Sequence, residues 1–284
     1  MDTPTILVTG ASGTVGREVA KRLAERGAPA RLALRDPSRR VEGAEALERV
    51  RFDFHDPSGF EEALRGVGRV FLLRPPQLAD IRRDFDPFLV AMLKADVERV
   101  VFLSVRGAER NPLLPHRRIE KLLERSGLAW THLRPNDWMQ NFATVHRDDI
   151  RRGELWAPAG KGRTSFVDAR DVAEAAAAVL TEQGHERRAY PLTGAEEFDL
   201  YEVAAVLSGT IGRPVAYRNP GVLAFLRHVR ATGRPLSLGL VMTGVYTAAR
   251  LGLASGVSPE LEQLIGRPPA TLRAFAEDHA AVWR

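Results

Sequence analysis

The sequence contains no cysteine, and this absence excludes a whole group of chemistries. Disulfide bonds, thiolate metal sites and cysteine nucleophiles all need a thiol, and we expect no metal site of another kind. The chain also lacks an apolar run of membrane-spanning length. Its amino terminus shows no charged leader followed by an apolar stretch. We therefore expect a cytoplasmic protein that does not associate with a membrane.

Long blocks of basic residues are missing as well, although the formal net charge is +5. Arginine and lysine stand beside glutamate in predicted helices, as in residues 61–65 and 120–125. Solvated helix surfaces account for most of this positive excess. We expect no specific binding of nucleic acid.

A glycine-rich turn near the amino terminus organises the chain. The apolar run Thr5–Val8 predicts a buried strand, and a helical pattern after the turn ends at Gly27. Small residues between such a strand and helix let the backbone approach a diphosphate, which the helix N-terminus attracts. The spacing is G-x-x-G-x-x-G, and the bland alternative is a tight turn without a ligand. The residues predicted to contact a dinucleotide here are Gly10, Ser12, Gly13, Thr14, Val15 and Gly16.

Arg35 indicates which dinucleotide is bound. It follows the predicted second strand, Ala30–Leu34, and lies 19 positions after Gly16, where an NAD-preferring protein carries an acidic residue. A guanidinium pairs with a 2′-phosphate, whereas a carboxylate would repel it. The expected cofactor is NADP(H), although Asp36 could weaken that preference.

Strands and helices alternate regularly over the first half of the chain. Further strands are predicted over Val50–Phe54, Arg69–Leu73 and Arg99–Ser104. The simplest arrangement of this alternation is an α/β fold, a doubly wound parallel sheet of the Rossmann type with helices on both faces. The residues at the strand ends that we expect to face the cofactor are Asp53, Phe54, Leu73, Arg74, Pro75 and Ser104.

The helix after the fifth strand lacks the residues that most short-chain dehydrogenases use for proton transfer. Those enzymes carry a serine and then Tyr-x-x-x-Lys, in which the lysine lowers the pKa of the phenol. Here Ser104 is present, but His116 and Glu120 occupy the i and i+4 positions, and no tyrosine occurs before Tyr190. His116 is a candidate catalytic acid, and the alternative is a surface histidine without a role.

Several separate motifs resemble one family, the NmrA-like atypical short-chain dehydrogenases/reductases, in particular its NAD(P)H-binding, quinone-reductase-like and ergot-alkaloid-reductase-like branch. The matching stretches are Thr9–Gly16, Leu72–Pro76, Ser126–Phe142, Ser165–Ala173 and Gly266–Leu272. The resemblance implies an NADP(H)-binding Rossmann domain of residues 1–134 and about 164–194. It also implies a smaller, mainly helical substrate part of residues 135–163 and 195–284. It does not imply catalysis, because the wider family includes regulators that bind a dinucleotide without turning it over.

The substrate is expected to be a small-molecule acceptor, bound by residues around the sixth strand. The candidate pocket residues are Arg106, Asn136, Trp138, Met139 and Phe142. The alternative for Trp138, Met139 and Phe142 is hydrophobic packing between domains. Without a Tyr-Lys pair, we expect an NADPH-dependent reductase of activated acceptors such as quinones, iminium ions or conjugated enones. The alternative is a non-catalytic NADP(H)-binding regulator that acts through a protein partner. The sequence leaves monomer and homodimer open, and Tyr201, Tyr217 and Tyr246 remain late candidates for a proton donor.

Overall fold

Short apolar runs form the centre of the structure, because parallel strands covered on both faces must be apolar throughout. The computed structural model describes residues 4–75, 78 and 80–284. Pro76, from one of the family motifs, and residues 1–3, at the amino terminus considered above, lie outside the described residues. The strands are β1 (Thr5–Val8), β2 (Ala30–Leu34), β3 (Glu48–Arg51), β4 (Val67–Leu73), β5 (Arg99–Leu103), β6 (Ala129–Pro135), β7 (Glu154–Trp156), β8 (Arg188–Leu192) and β9 (Ala216–Arg218).

Seven strands form one parallel sheet in the order β3-β2-β1-β4-β5-β6-β8. In the centre of the sheet, Ile6 of β1 lies opposite Ala30 of β2 on one side and Arg69 of β4 on the other. The chain winds outward from β1 to β3 and then returns to the other side of β1, so β1 and β4 flank the topological switch point. This arrangement confirms the predicted doubly wound fold. Strands β7 and β9 pair separately as a two-stranded parallel sheet.

Helices connect the strands and cover the sheet. In the described residues they are α1 (Thr14–Glu25), α2 (Phe60–Leu64), α3 (Ile81–Lys94), α4 (Pro115–Arg125), α5 (Gln140–Ala143), α6 (Arg147–Arg151), α7 (Ala169–Thr181), α8 (Leu200–Ile211), α9 (Val222–Ala231), α10 (Leu236–Arg250), α11 (Glu260–Ile265), α12 (Leu272–Asp278) and α13 (Ala280–Trp283). The alanine-rich helix α7 is almost entirely buried and packs against α1. Small side chains permit this close packing of helix against helix.

The chain divides into two compact units. The first holds the seven-stranded sheet and contains the described residues up to Pro135 together with Ala169–Leu192 and Glu260–Arg267. The second contains Asn136–Asp168, Thr193–Pro259 and Pro268–Arg284. It is mainly helical, with the β7–β9 pair as its only strands among the described residues.

The third strand lies slightly earlier in the chain than the sequence predicts. It spans Glu48–Arg51 rather than Val50–Phe54, and the rings of Phe52 and Phe54 beyond its end lie in the core. The Phe52 and Phe54 ring centroids lie 4.9 Å apart in an edge-to-face arrangement, and Phe88 of α3 lies 5.5 Å from Phe54. Such pairs stabilise a core beyond the area that they bury.

Candidate functional site

The glycine turn follows β1 at the switch point of the sheet. Gly10 has φ +66°, a left-handed conformation that side chains rarely adopt. At Gly16, a Cβ would lie 2.2 Å from the Gly10 carbonyl oxygen, so only glycine lets α1 close onto the turn. Gly13 is the N-cap of α1 and supplies no side chain to cap the first turn. The first N–H groups of α1 are therefore available to an anion.

The residues of this turn differ in their exposure to solvent. Ser12, Gly13 and Thr14 are exposed, whereas Val15 and Gly16 are buried. Thr9, just before the turn, is fully buried and ties the two central strands together. Its Oγ1 donates to the Phe71 carbonyl at 3.1 Å and accepts from the Leu73 N–H at 2.8 Å. The turn is thus held rigidly by the sheet while its outer residues face open space.

Arg35 directly follows β2 and is exposed. It forms no ion pair with a carboxylate in the part of the chain that the structure describes. The neighbouring Asp36 accepts hydrogen bonds from the Ser38 hydroxyl at 2.7 Å and the Ser38 N–H at 2.9 Å. The Ser38 hydroxyl and N–H bonds lower the pKa of Asp36. The carboxylate is therefore held within its own loop, and Arg35 remains available to a 2′-phosphate.

The other strand ends differ in how they fit the predicted cofactor contacts. Phe54 is only 6% exposed and its ring packs in the aromatic core, and its contact with the cofactor stays a prediction. Asp53 Oδ1 accepts from the His55 N–H at 3.0 Å, which is a turn contact. Leu73 packs against Gly10. Its Cδ2 atom lies 3.1 Å from the position that a Cβ on Gly10 would occupy. Arg74 is half-buried and donates to the Leu78 carbonyl at 2.5 Å and the Pro75 carbonyl at 3.3 Å.

Ser104 and Glu120 form the centre of a buried charged network. Glu120 is fully buried and accepts from the Ser104 hydroxyl at 2.7 Å, from Arg134 Nε at 2.8 Å and from Arg117 Nη1 at 2.9 Å. Burial raises the pKa of Glu120, but hydrogen bonds from Arg134 and Ser104 outweigh that effect and lower it. The carboxylate is therefore ionised and locked, and the Ser104 hydroxyl donates to it rather than facing a ligand.

His116 lies one turn earlier on α4 and is half-buried. Burial, followed by the positive charge of Arg74, lowers the pKa of His116 to about 4. The ring is therefore neutral at pH 7 and carries no readily released imidazolium proton. It can still donate or accept a hydrogen bond in its neutral form.

The predicted pocket residues of the second unit serve different purposes. Met139 and Phe142 are each 2% exposed and lie in the core of that unit, where Phe142 packs edge-on against Phe166 at 5.1 Å. Both side chains therefore pack within the second unit, and their role in an acceptor pocket stays a prediction. Asn136 donates to the Ser165 hydroxyl and the Ala254 carbonyl, both at 2.8 Å. Trp138 is half-exposed and remains the large aromatic of this group that a ligand could contact.

Arg106 and two of the three late tyrosines are engaged with neighbours. The Arg106 N–H donates to the Pro135 carbonyl at 2.9 Å in the first unit. The buried Tyr246 hydroxyl lies 2.5 Å from His146 Nε2, and burial raises its pKa well above the ordinary value. The Tyr217 hydroxyl donates to the Ala157 carbonyl at 2.8 Å, and burial raises its pKa to about 12. Tyr201 is 47% exposed.

Asp137 is a titratable residue that the sequence analysis passed over. Its Oδ1 accepts from the Trp138 N–H at 2.9 Å and from Asn141 Nδ2 at 2.7 Å. Burial raises the pKa of Asp137 to about 6 despite these bonds. The sequence could have indicated Asp137 as a candidate site residue, because it lies two residues after the carboxyl end of β6. Ligands of doubly wound folds bind at that edge of the sheet.

A doubly wound parallel sheet with an uncapped glycine turn at its switch point defines a dinucleotide-binding protein. The chain belongs to the NAD(P)H-binding family, which matches residues 10–183. It is 33% identical to an NAD(P)H azoreductase of Xenophilus azovorans over 98% of this chain and 99% of that protein. It is 34% identical to a (4-alkanoyl-5-oxo-2,5-dihydrofuran-3-yl)methyl phosphate reductase of Streptomyces griseus subsp. griseus, covering 97% and 98% of the two chains.

A solved structure agrees with these relatives. The NADPH complex of an NADPH-dependent quinone oxidoreductase from Escherichia coli superposes with a TM-score of 0.87 at 27% identity, covering 96% of this chain and 99% of that one. The family and these relatives confirm the predicted quinone-reductase-like branch of the NmrA-like atypical short-chain dehydrogenases/reductases. The protein is an oxidoreductase that uses NADP(H). In the described residues, no helix is both long and apolar enough to span a bilayer.

Proposed function

We propose that this reductase transfers hydride from NADPH to an electron-poor acceptor, such as a quinone, an iminium ion or a conjugated enone, without a Tyr-Lys pair. The observation that carries the proposal is the state of the α4 residues. Where a phenol and a lysine would stand, the chain has His116, whose pKa is about 4, and Glu120, which is locked in a buried network. Neither residue can act as a strong proton donor at neutral pH.

The lack of a strong proton donor limits which acceptors the protein can reduce. A plain ketone accepts hydride poorly unless its oxygen receives a proton, whereas quinones, iminium ions and conjugated enones are already electron-poor. For such acceptors the protein mainly needs to hold the nicotinamide and the acceptor in a reactive orientation. The activities of the relatives support this class, since an azo bond, a quinone and an acyl dihydrofuranone are all electron-poor.

The residues that we expect to bind NADPH belong to the first unit. We infer that the first unit holds NADPH, with Ser12, Gly13 and Thr14 around the diphosphate and Arg35 at the 2′-phosphate. Trp138, a half-buried residue of the second unit, is our candidate contact for the acceptor because its ring offers a flat apolar surface.

The test measures NADPH oxidation with a panel of quinones, iminium compounds, enones and unactivated ketones. We expect turnover with the first three classes and very slow turnover with ketones. Loss of a true general acid costs about 10²–10⁴-fold, so His116→Ala should cost clearly less than that with a quinone. Fast ketone reduction by the wild type that disappears in His116→Ala would make His116 the acid and refute the proposal.

A further inference from the structure

The first unit contains a cavity that is separate from the residues predicted to contact the cofactor. A cavity of about 660 Å³ lies between the beginning of α3 and the outer face of α4. Ile81 and Leu122 supply its apolar lining. A volume of this size falls within the range of small-molecule sites, about 300–1,000 Å³. None of the residues predicted to contact NADPH is among its lining residues.

Four cationic side chains surround this apolar lining. Arg82 comes from α3, and Arg118, Lys121 and Arg125 come from α4. The three residues of α4 are spaced at i, i+3 and i+7, which places them along one face of the helix. All four side chains are exposed, and none forms an ion pair with a carboxylate within the described ranges.

The neighbouring Arg117, unlike the cations that line the cavity, has carboxylate partners. Arg117 lies on the same helix but pairs with Glu120 at 2.9 Å and with Glu124 at 2.6 Å. The helix therefore neutralises its inner arginine and leaves its outer cations uncompensated. Solvated helix surfaces, to which the sequence analysis attributed the positive excess, normally intersperse both signs of charge.

One carboxylate, Asp80, also lines the cavity. Its side chain caps α3 by accepting from the Arg83 N–H at 3.2 Å. Even with its charge counted, three of the four positive charges are unmatched. Like charges gathered in a concave, partly apolar site raise the local concentration of an oppositely charged ligand.

We propose that this cavity binds a small molecule that carries two or more phosphoryl groups. A phosphoryl group carries about −1.5 to −2 charges at neutral pH, so two groups match three unpaired cations within a small volume. Arginine binds phosphoryl oxygens in a bidentate manner, and three of the four cations are arginines. The positive charge also disfavours a second copy of this chain at the same face, because two such faces would repel each other.

The experiment titrates tripolyphosphate into the full-length protein saturated with NADPH, so that the glycine turn is already occupied. Calorimetry should show one further equivalent bound, and the affinity should fall as salt screens the charges. The double variant Arg118→Ala/Arg125→Ala should weaken this binding by at least about tenfold. Alanine preserves the helix, and circular dichroism checks that the variant is folded.

A matched control removes two other arginines. Arg49 and Arg51 are exposed, lie on β3 and have no carboxylate partner among the described residues. Arg49→Ala/Arg51→Ala changes the net charge equally and should leave tripolyphosphate binding within about twofold of the wild type. No binding to the NADPH-saturated wild type, or equal losses in both double variants, would overturn the proposal. Tighter binding of a hexaglutamate peptide than of tripolyphosphate would also overturn it, in favour of an acidic protein segment.

Discussion

Gly13 and Gly16 belong to one turn but differ in what a side chain would meet. A Cβ at Gly16 would lie 2.2 Å from the Gly10 carbonyl oxygen, a backbone atom that cannot move aside. A Cβ at Gly13 would come no closer than 3.3 Å to that oxygen, and the residue is exposed. Gly16 is thus required by the fold itself, whereas Gly13 is free to serve a ligand.

This difference predicts separate effects of two substitutions. Gly13→Val should weaken NADPH binding by more than about tenfold, because its methyl groups occupy the space of the diphosphate, with little change in the melting temperature. Gly16→Ala should instead destabilise the fold by roughly 1–3 kcal/mol. Fluorescence titration with NADPH and thermal denaturation measure the two effects. A folded Gly13→Val variant with full NADPH affinity would show that the turn is structural only.

We expect Arg35 to determine the choice between NADPH and NADH. Its side chain is exposed and unpaired in the described chain, and Ser38 restrains the adjacent carboxylate. Arg35→Asp should lower the ratio of NADPH to NADH affinity by about tenfold or more, since it replaces a charge-assisted pair with repulsion. Titration of both cofactors measures this ratio. Arg39→Asp, in the same exposed loop, is the control and should change the ratio little, and a wild type that prefers NADH would refute the assignment.

At the scale of elements, α4 illustrates how a helix position can be reused. In the usual enzymes the i+4 position carries a lysine for catalysis, whereas here Glu120 joins Ser104 at the end of β5 to Arg134 of β6. The carboxylate thereby connects one helix to two strands within the core. Because Glu120 is fully buried, its charge is compensated by these partners, and we expect the network to stabilise the first unit.

Removal of this charge should therefore affect stability strongly. Glu120→Gln leaves Arg117 and Arg134 without their buried counter-charge and should cost about 3 kcal/mol of unfolding free energy. Glu124→Gln removes an exposed partner of Arg117 on the same helix and should cost less than about 1 kcal/mol. Urea unfolding of both variants compares them directly. Equal, small losses would show that the network does not stabilise the fold.

At the scale of the whole molecule, three histidines make the protein sensitive to acid. Burial lowers the pKa of His116, His132 and His146 to about 4 each, so all three are neutral in the folded state at pH 5. In the unfolded chain they are protonated below about pH 6.5. Asp137 acts in the opposite sense, because its folded pKa of about 6 exceeds its unfolded value and it binds a proton on folding.

The balance of these groups predicts the direction of the pH dependence. Between about pH 6 and 4.5 the unfolded state binds roughly two more protons than the folded state, so stability should fall by about 2 kcal/mol per pH unit as the pH drops. Denaturant unfolding over this range measures the slope. Asp137→Asn removes the opposing proton and should make the slope steeper, and a stability independent of pH in this window would contradict the assignment.

Local sequence patterns are sufficient to predict much of the fold. The apolar runs, the glycine turn and the regular alternation depend on residues near one another in the chain, and they were sufficient to predict the doubly wound sheet and its cofactor. The same local patterns predict that His116 and Glu120 occupy the positions of the usual pair, and this stays a prediction. Spacing alone also predicts Arg35 as the residue near the 2′-phosphate, because one strand-turn-helix unit sets its position relative to Gly16.

The roles of individual side chains depended on tertiary structure instead. Phe54 became a core residue because Phe88, distant in sequence, covers it, and Met139 and Phe142 became core residues of the second unit. The raised pKa of Asp137 results from burial, which no local pattern encodes. Sequence spacing shows which residues share an element, but burial, pairing and pKa depend on which distant elements pack against it, and these contacts exist only in the folded chain.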